Sequence, residues 1–187
     1  QEERSGALEE VIVTAQKREQ SLQDVSLSVS AIDSSSLTEN FVLSLEDVQH
    51  IAPSMSFGNS LGFAKIFIRG IGLNEQTTGI DPSVALHVDG AVINQPVGHF
   101  TSVFDLDRVE ILRGPQGTLY GRNATGGSVN LITAKPTDEF EGYARGTVGN
   151  YDLFVAEAAL SGPLTRRIKG RVAMRSNNRN GYGINEV

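Results

Sequence analysis

The chain has 187 residues, 39% of them hydrophobic, 20% charged and 6% aromatic; that length allows one domain, or one domain plus part of a second, and the apolar content is too high for a disordered tail. The absence of cysteine excludes a disulfide scaffold, a thiolate metal site and cysteine nucleophilic catalysis. The formal charge of −6 argues against nucleic-acid binding, which needs clustered Lys and Arg, and the acidity is N-terminal, with ten acids and three bases in residues 1–50.

Residues 1–20 mix charge with one β-branched run, Val11-Ile12-Val13-Thr14. No apolar spacing of helical type is present, so the expected form is a mobile arm with an extended centre. Gln1–Gly6 has neither the basic nor the apolar region of a signal peptide, so an exported protein would be a processed chain. Leu27, Val29 and Ala31 alternate with polar residues as in a half-buried strand, and Ser34–Ser36 offers N-cap oxygens for a short helix. Ser44-Leu-Glu-Asp47 has the capping pattern, and Leu45, Val48 and Ile51 share one helical face before Pro53, which predicts a second helix.

From residue 54 to 133, short β runs alternate with glycine: Ala64–Ile68, Val84–Val88, Val109–Leu112 and Ser128–Thr133. The expected product is a small mixed sheet. Gly70, Asp89-Gly90, Gly114-Pro115, Gly121 and Gly126-Gly127 lie between runs, where sharp turns or close backbone approach call for glycine. A phosphate cradle is not expected, because the Gly121–Gly127 stretch lacks a Gly-Lys-[Ser/Thr] ending. His50, His87 and His99 are scattered without metal-pair spacing, and no Ser–His–Asp arrangement can be argued from spacing. Neither a metal, a cofactor nor a catalytic residue is therefore expected; hydrolysis at His87 and Asp89 is the least supported reading.

After Pro136 the character changes. Phe154, Ala156, Ala158 and Leu160 alternate with a set containing Glu157, and Ile168, Gly170, Val172 and Met174 alternate with Lys169, Arg171 and Arg175. Tyr143–Val148 gives a weaker third run. Only about 50 residues follow Pro136, and nothing helical among them could cover the apolar face. Strands of a transmembrane β-barrel, with one side to lipid and the other to a polar lumen, fit this pattern; an amphipathic hairpin of a soluble sandwich fits it as well. The smallest such barrel needs about eight strands, so three imply a structure continuing beyond Val187.

The run Asp105-Leu-Asp-Arg-Val-Glu-Ile-Leu-Arg-Gly-Pro-Gln-Gly-Thr-Leu-Tyr-Gly-Arg-Asn-Ala-Thr-Gly-Gly-Ser-Val-Asn-Leu-Ile-Thr133 resembles the segment that ends the plug domain of TonB-dependent outer-membrane receptors. Leu8-Glu-Glu-Val-Ile-Val-Thr-Ala15 resembles the TonB box, Ile68-Arg-Gly70 the first plug arginine motif and Val88-Asp-Gly90 the central Asp-Gly turn. One departure is Glu10, where many TonB boxes carry Thr. The resemblance implies an arm with the TonB box at residues 1–20, an α+β plug domain with a small mixed sheet and short helices at 21–135, and antiparallel strands of an incomplete transmembrane β-barrel at 136–187. The family's barrel has roughly twenty-two strands, so this chain holds only the first few.

What the resemblance implies for function is energy-coupled import across a Gram-negative outer membrane, with the arm in the periplasm. Glu9, Glu10, Val11, Ile12, Val13, Thr14 and Ala15 would dock the TonB C-terminal domain by strand addition, which calls for an exposed extended segment. Arg69, Glu110 and Arg113 would tie plug to barrel wall. Asn74, Gln76, Asn94 and Gln95, in the polar stretches Leu73–Ile80 and Asn94–His99, are candidates for ligand contact; Asn59–Phe63 is expected to be a third such loop. The ligand class implied is most often a ferric siderophore, with haem, cobalamin and oligosaccharides as alternatives. The contrasting reading is a soluble periplasmic adaptor or binding module whose last 50 residues complete its own sheet.

Overall fold

Glycine-punctuated runs of β-branched residues build most of the chain. A computed structural model describes residues 11–15, 18, 20–60, 62–73, 82–95, 99 and 103–181. In chain order the strands are β1 (Ile12–Val13), β2 (Gln20–Ser21) and β3 (Ser28–Asp33), then helix α1 (Ser34–Glu39) and a 3-10 turn at Asp47–His50. There follow β4 (Met55–Ser60), β5 (Phe63–Ile68), β6 (Ile71–Gly72), β7 (Val84–Val88), β8 (Ala91–Val92) and β9 (Leu106–Arg113). The short helix α2 (Gly117–Tyr120) precedes β10 (Gly127–Thr133), β11 (Glu141–Gly149), β12 (Leu153–Pro163) and β13 (Lys169–Asn178). The chain divides into two units, Gln1–Thr133 and Ala134–Val187.

The first unit is organised around a five-stranded mixed sheet in the order β3-β9-β10-β7-β8. Only β10 and β7 run parallel; the other pairs are antiparallel. Since strand side chains alternate between faces, Ile32, Val109, Ile111, Val129, Leu131, Val84 and Leu86 share one face and form the main core. A three-stranded sheet, β4-β5-β6, supplies Met55, Phe57, Ala64, Ile66 and Ile68 to the same core. The opposite face of β7, β9 and β10 is polar in part yet also buried: His87, Glu110, Ser128 and Asn130 are all nearly or fully inaccessible. Beside them a smaller apolar cluster joins Leu112 to Val13 and Ala15 of the N-terminal segment.

Two hairpins use the same turn chemistry. Arg69-Gly70 joins β5 to β6 and Asp89-Gly90 joins β7 to β8, each with positive φ at both loop positions (52° and 77°, 48° and 82°), as two-residue loops of type I′ require. The Asp89 carboxylate accepts hydrogen bonds from Thr133 N (2.9 Å) and Oγ1 (2.8 Å), fixing the turn against the end of β10.

Two local expectations give way to side-chain chemistry and a third to strand pairing. Asp33, not Ser34–Ser36, caps α1: its carboxylate accepts from Ser36 N at 2.7 Å and Ser35 Oγ at 2.9 Å, and these bonds hold it below the ordinary carboxylate pKa. The helix expected over Ser44–Ile51 is only the 3-10 turn. Asp47 Oδ2 takes Leu43 N, Ser44 N and Ser44 Oγ, closing the chain into a tight turn before an α-helix can propagate. Leu45 and Val48 still point into the core. The stretch Asn59–Phe63 is not a loop, because Asn59 and Ser60 pair with Ala64 and Phe63 across the β4–β5 hairpin.

In the second unit β11, β12 and β13 form an antiparallel meander. Its register pairs Phe154 with Val148, and Leu160 with Val172, on one face, and aligns Arg145, Glu157 and Arg175 on the other.

Gly127 carries the tightest packing constraint in the central sheet: with φ at 147°, an added Cβ would lie 2.2 Å from the Leu112 carbonyl oxygen. Gly127→Ala is expected to destabilise the first unit by about 1–3 kcal/mol, measured as a lowered urea midpoint with the denaturant slope unchanged.

Candidate functional site

The N-terminal segment is docked on the polar face of the central sheet. Ile12 and Val13 pair antiparallel with Ser21 and Gln20, and Leu22 N donates to Val11 O at 2.8 Å. Ile12 is exposed (48%) while Val13 and Ala15, on the other side of the segment, are fully buried; Val11, at the beginning of the described stretch, is also exposed (39%). The exposed arm expected from the sequence is thus, over residues 11–15, a covered edge: the apolar side chains at 13 and 15 find Leu112, Leu22, Val25, Leu27 and Tyr120. Glu9 and Glu10 lie outside the described residues.

Two polar anchors hold this segment. Oε1 of Glu110 accepts from Thr14 N (2.7 Å), Thr14 Oγ1 (3.1 Å) and Arg108 Nε (2.8 Å). Arg108 also donates to Thr14 Oγ1 at 3.4 Å and pairs with Asp107. Glu110 has no exposed surface, and a buried carboxylate demands this kind of pairing. The second anchor is Tyr120, whose hydroxyl donates to Ala15 O at 2.9 Å. Burial raises the Tyr120 pKa above its usual value; the charge of Glu110 adds to the rise, and the hydrogen bond from Asn130 opposes it. The phenol is therefore a neutral donor across physiological pH.

Tyr120 is placed by the glycine-rich loop that follows β9. Gly114 N donates to Gly126 O and Gln116 N to Ala124 O, so the stretch closes on itself, and Gly121 (φ 85°) ends α2 just after the tyrosine. Gly126 N donates to Ser83 O, and its Cα lies so near Ile71 that an added Cβ would fall 2.8 Å from Ile71 Cγ2. Pro115 sits within this loop, between Gly114 and Gln116. Behind Tyr120, Asn130 Nδ2 donates to Tyr120 Oη (2.9 Å), Ser128 Oγ to Asn130 Oδ1 (2.8 Å), and His87 Nδ1 lies 3.1 Å from Ser128 Oγ. The rings of His87 and Tyr120 meet edge-on at 5.0 Å.

A second cluster joins Arg69 and Arg113. Arg113 Nε donates to Ser54 Oγ at 2.7 Å, Nη1 to Ser28 Oγ at 3.4 Å and Nη2 to Ser30 Oγ, while Arg69 Nη2 reaches Ser28 Oγ at 3.3 Å. The two guanidiniums thus share Ser28, and no carboxylate among the described residues forms an ion pair with either. Burial lowers the Arg113 pKa, and the neighbouring Arg69 charge lowers it further. Like charges held together on hydroxyls alone are short of a counter-charge. Glu110, grouped with them from the sequence, is elsewhere. Three residues along a strand reverses the face, so Glu110 lies on the arm side of β9 and Arg113 on the core side.

Asn94 and Gln95 follow β8 and are exposed; Asn74 and Gln76 lie outside the described residues. Arg108, Tyr120, Ser128 and Asn130 escaped sequence reading as functional residues. A signal was present: R-V-E-I and S-V-N-L place polar residues at alternate positions of two strands, and His87 interrupts the apolar run of a third, a pattern that needs a covering layer when both faces are buried.

In the second unit Glu157 is buried between Arg145 Nη1 (3.4 Å) and Arg175 Nε (3.3 Å). On the other face Val148, Phe154, Leu160, Val172 and Met174 are 52–79% exposed.

Comparison with known proteins places these features in a family. The TonB-dependent receptor plug domain matches residues 21–128. The pesticin receptor of Yersinia pestis is 33% identical over 159 residues, covering 82% of this chain and 23% of that protein. The ferripyoverdine receptor of Pseudomonas aeruginosa is 37% identical over 108 residues, 56% of this chain and 13% of that one. Among solved structures, the ferric yersiniabactin uptake receptor of Yersinia pestis superposes with a TM-score of 0.74 at 30% identity, covering 80% of this chain and 24% of that receptor. The pyoverdine outer-membrane receptor of Pseudomonas aeruginosa shares the fold with a TM-score of 0.78 at 23% identity, over 91% of this chain and 25% of its own. This chain therefore spans about a quarter of the length of such relatives. With a mixed-sheet plug over most of its first unit and an antiparallel meander after it, the chain belongs to the TonB-dependent receptors.

Proposed function

We propose that this chain is the N-terminal part of a receptor that imports a scarce ligand across the outer membrane of a Gram-negative bacterium, most often a ferric siderophore, using energy delivered by TonB. The observation that carries this reading is the divided second unit. Five large apolar side chains stand exposed on one face of the meander while Arg145, Glu157 and Arg175 line the other, the pattern of a barrel wall between hydrocarbon and a polar lumen. A water-soluble adaptor would leave that apolar face in water. Relatives named as ferripyoverdine and ferric yersiniabactin receptors support iron-loaded siderophores as the ligand class.

Within this scheme residues 21–135 are the plug, residues 1–20 the arm, and residues 9–15 the segment that docks the TonB C-terminal domain. Ligand bound outside would shift the arm towards exposure, TonB would pair with it, and force would move part of the plug. Arg69 and Arg113 tie the plug to the wall: their missing counter-charge is supplied by carboxylates of the barrel. Asn74, Gln76, Asn94 and Gln95 are the residues proposed for ligand contact. Asp89-Gly90, Gly70, Gly114, Pro115, Gly121, Gly126 and Gly127 have the conformational role of shaping the turns of the plug. No step of this scheme calls for catalysis.

The full-length receptor, expressed in cells lacking their own siderophore receptors, is expected to restore uptake of at least one ferric siderophore, and to lose it when residues 9–15 are deleted. Failure across a broad siderophore panel, with the receptor present in the membrane, would contradict the reading. Leu160→Arg is expected to cost about 2–4 kcal/mol of bilayer stability if that position lies near the midplane, seen as reduced assembly into the outer membrane; Thr147→Arg, on the face that carries Arg145 and Glu157, tests the lumen side and is expected to cost less. Arg113→Ala is expected to speed amide exchange in β3, β9 and β10 of the full receptor. Unchanged exchange would argue against the plug–wall role.

A further inference from the structure

The end of the second unit at the β12–β13 turn joins an apolar face to a pair of cations. Leu160 and Val172 are opposite each other on the apolar face, and the next pair on that face is Gly162 with Gly170. Two neighbours fill the space these glycines leave: an added Cβ at Gly162 would lie 2.6 Å from Phe140 Cδ1, and one at Gly170 2.9 Å from Leu164 Cδ1. Phe140, Leu164 and Ile168 are nonetheless exposed, so the apolar face runs uncovered to the turn itself.

One hydroxyl orders the turn. Thr165 Oγ1 accepts from Arg167 N (3.2 Å) and Ile168 N (3.1 Å), while Ile168 O accepts from Leu164 N (2.8 Å) and Thr165 N (3.0 Å). The main chain that carries Arg166 and Arg167 is thereby fixed at the tip. Both arginines are exposed, and no carboxylate among the described residues pairs with either. Lys169, by contrast, is taken by Asp138 at 2.5 Å. Glu139 beside Asp138 is exposed, and Glu141, four residues before Arg145 on β11, shares the face of that arginine. The opposite end of the meander satisfies itself: Asp152 Oδ2 accepts from Asn180 Nδ2 at 2.6 Å, and the Arg179 guanidinium lies 5.8 Å from the centre of the Tyr151 ring.

A strand rises about 3.3 Å per residue, so at a tilt of about 45° the stretch from Phe154 to Leu164 climbs about 23 Å, close to the apolar band of about 25 Å on an outer-membrane barrel. Leu164 and Ile168 thus end the band. The arginines between them stand at headgroup level, where a guanidinium fork matches a phosphate. We infer that the β12–β13 turn is a site for one anionic phospholipid, its phosphate held by Arg166 and Arg167 and its acyl chains laid along Leu164, Ile168, Leu160 and Val172. This rests on the reading of that face as a barrel wall. Topology selects phospholipid over lipid A. A barrel of even strand number begins and ends on one side, and β11 begins at the same edge as the turn, with Glu141 opposite Ser161. With the arm in the periplasm, that edge meets the periplasmic leaflet, which is built of phospholipid.

The test uses the full receptor, without other reactive cysteines, in bilayers of phosphatidylethanolamine. A bimane fluorophore is attached at Val172→Cys, near the turn on the apolar face, or at Phe154→Cys, towards the other end of that face. Quenching by brominated phosphatidylglycerol, compared with brominated phosphatidylethanolamine, reads the local lipid preference. Each arginine near an anionic lipid surface contributes about a fivefold preference, so phosphatidylglycerol is expected to be favoured about twentyfold at Val172→Cys. Arg166→Gln and Arg167→Gln are each expected to lower that preference about fivefold, and the double variant to abolish it; none is expected at Phe154→Cys. Equal quenching by the two lipids at Val172→Cys, or a preference that survives in the double variant, overturns the site and leaves the barrel wall standing. An equal preference at Phe154→Cys reports the charge of the whole receptor and also overturns it. Relief of quenching by lipid A at a lower mole fraction than by unlabelled phosphatidylglycerol contradicts the choice of phospholipid. Absence of quenching by either lipid at both positions removes the hydrocarbon-facing wall, and the site with it.

Discussion

A β-strand sends successive side chains to opposite sides, so every sheet has two faces to satisfy, and the whole of this chain is shaped by what covers the second one. In the first unit the apolar face is met by β4, β5 and β6, as in any packed domain. The other face carries a carboxylate, an amide, a hydroxyl and an imidazole on adjacent strands, all buried. Such a face is stable only where each group finds a partner. The N-terminal segment meets that need with two main-chain groups and a threonine hydroxyl, and buries Val13 and Ala15 in doing so.

The second unit solves the same problem differently. Its ionised groups neutralise one another on one face, with Glu157 between two arginines, while its other face remains uncovered and apolar. The two units thus settle the second face in two different ways, one by covering a polar face and one by leaving an apolar face open. The arginine pair belongs to the same logic. Arg69, held at a positive φ by its turn, and Arg113, at the end of β9, converge on serines that cannot neutralise them.

Much of this architecture can be read from residue order alone, because it depends on short-range patterns. The alternation from Phe154 to Leu160 becomes β12 with its apolar residues on one face, and Val84–Val88 is a strand from end to end. Arg69-Gly70 and Asp89-Gly90 carry turn chemistry that two residues suffice to specify. What escaped depends on distance or on competition between side chains. Thr14 and Glu110 are 96 residues apart in sequence, and Tyr120 and Ala15 are 105 apart, so docking of the arm follows from tertiary packing that no local window contains. The Asp47 carboxylate captured amides that a helical pattern had assigned to an α-helix, and Asp33 outcompeted three serines as a cap. Glu110 and Arg113, grouped through the family resemblance, lie on opposite faces of β9, as strand geometry requires of residues three apart.

The central claim is that each strand of the meander divides its side chains between hydrocarbon and lumen. Nitroxide scanning of residues 153–161 in the full receptor, reconstituted in a bilayer, tests it directly by comparing collision with dissolved oxygen against collision with a water-soluble relaxation agent. The account predicts oxygen accessibility peaking at Phe154, Ala156, Ala158 and Leu160, and low at Val155, Glu157 and Ala159. Accessibility to the aqueous agent along the apolar set, or no two-residue period at all, would contradict it.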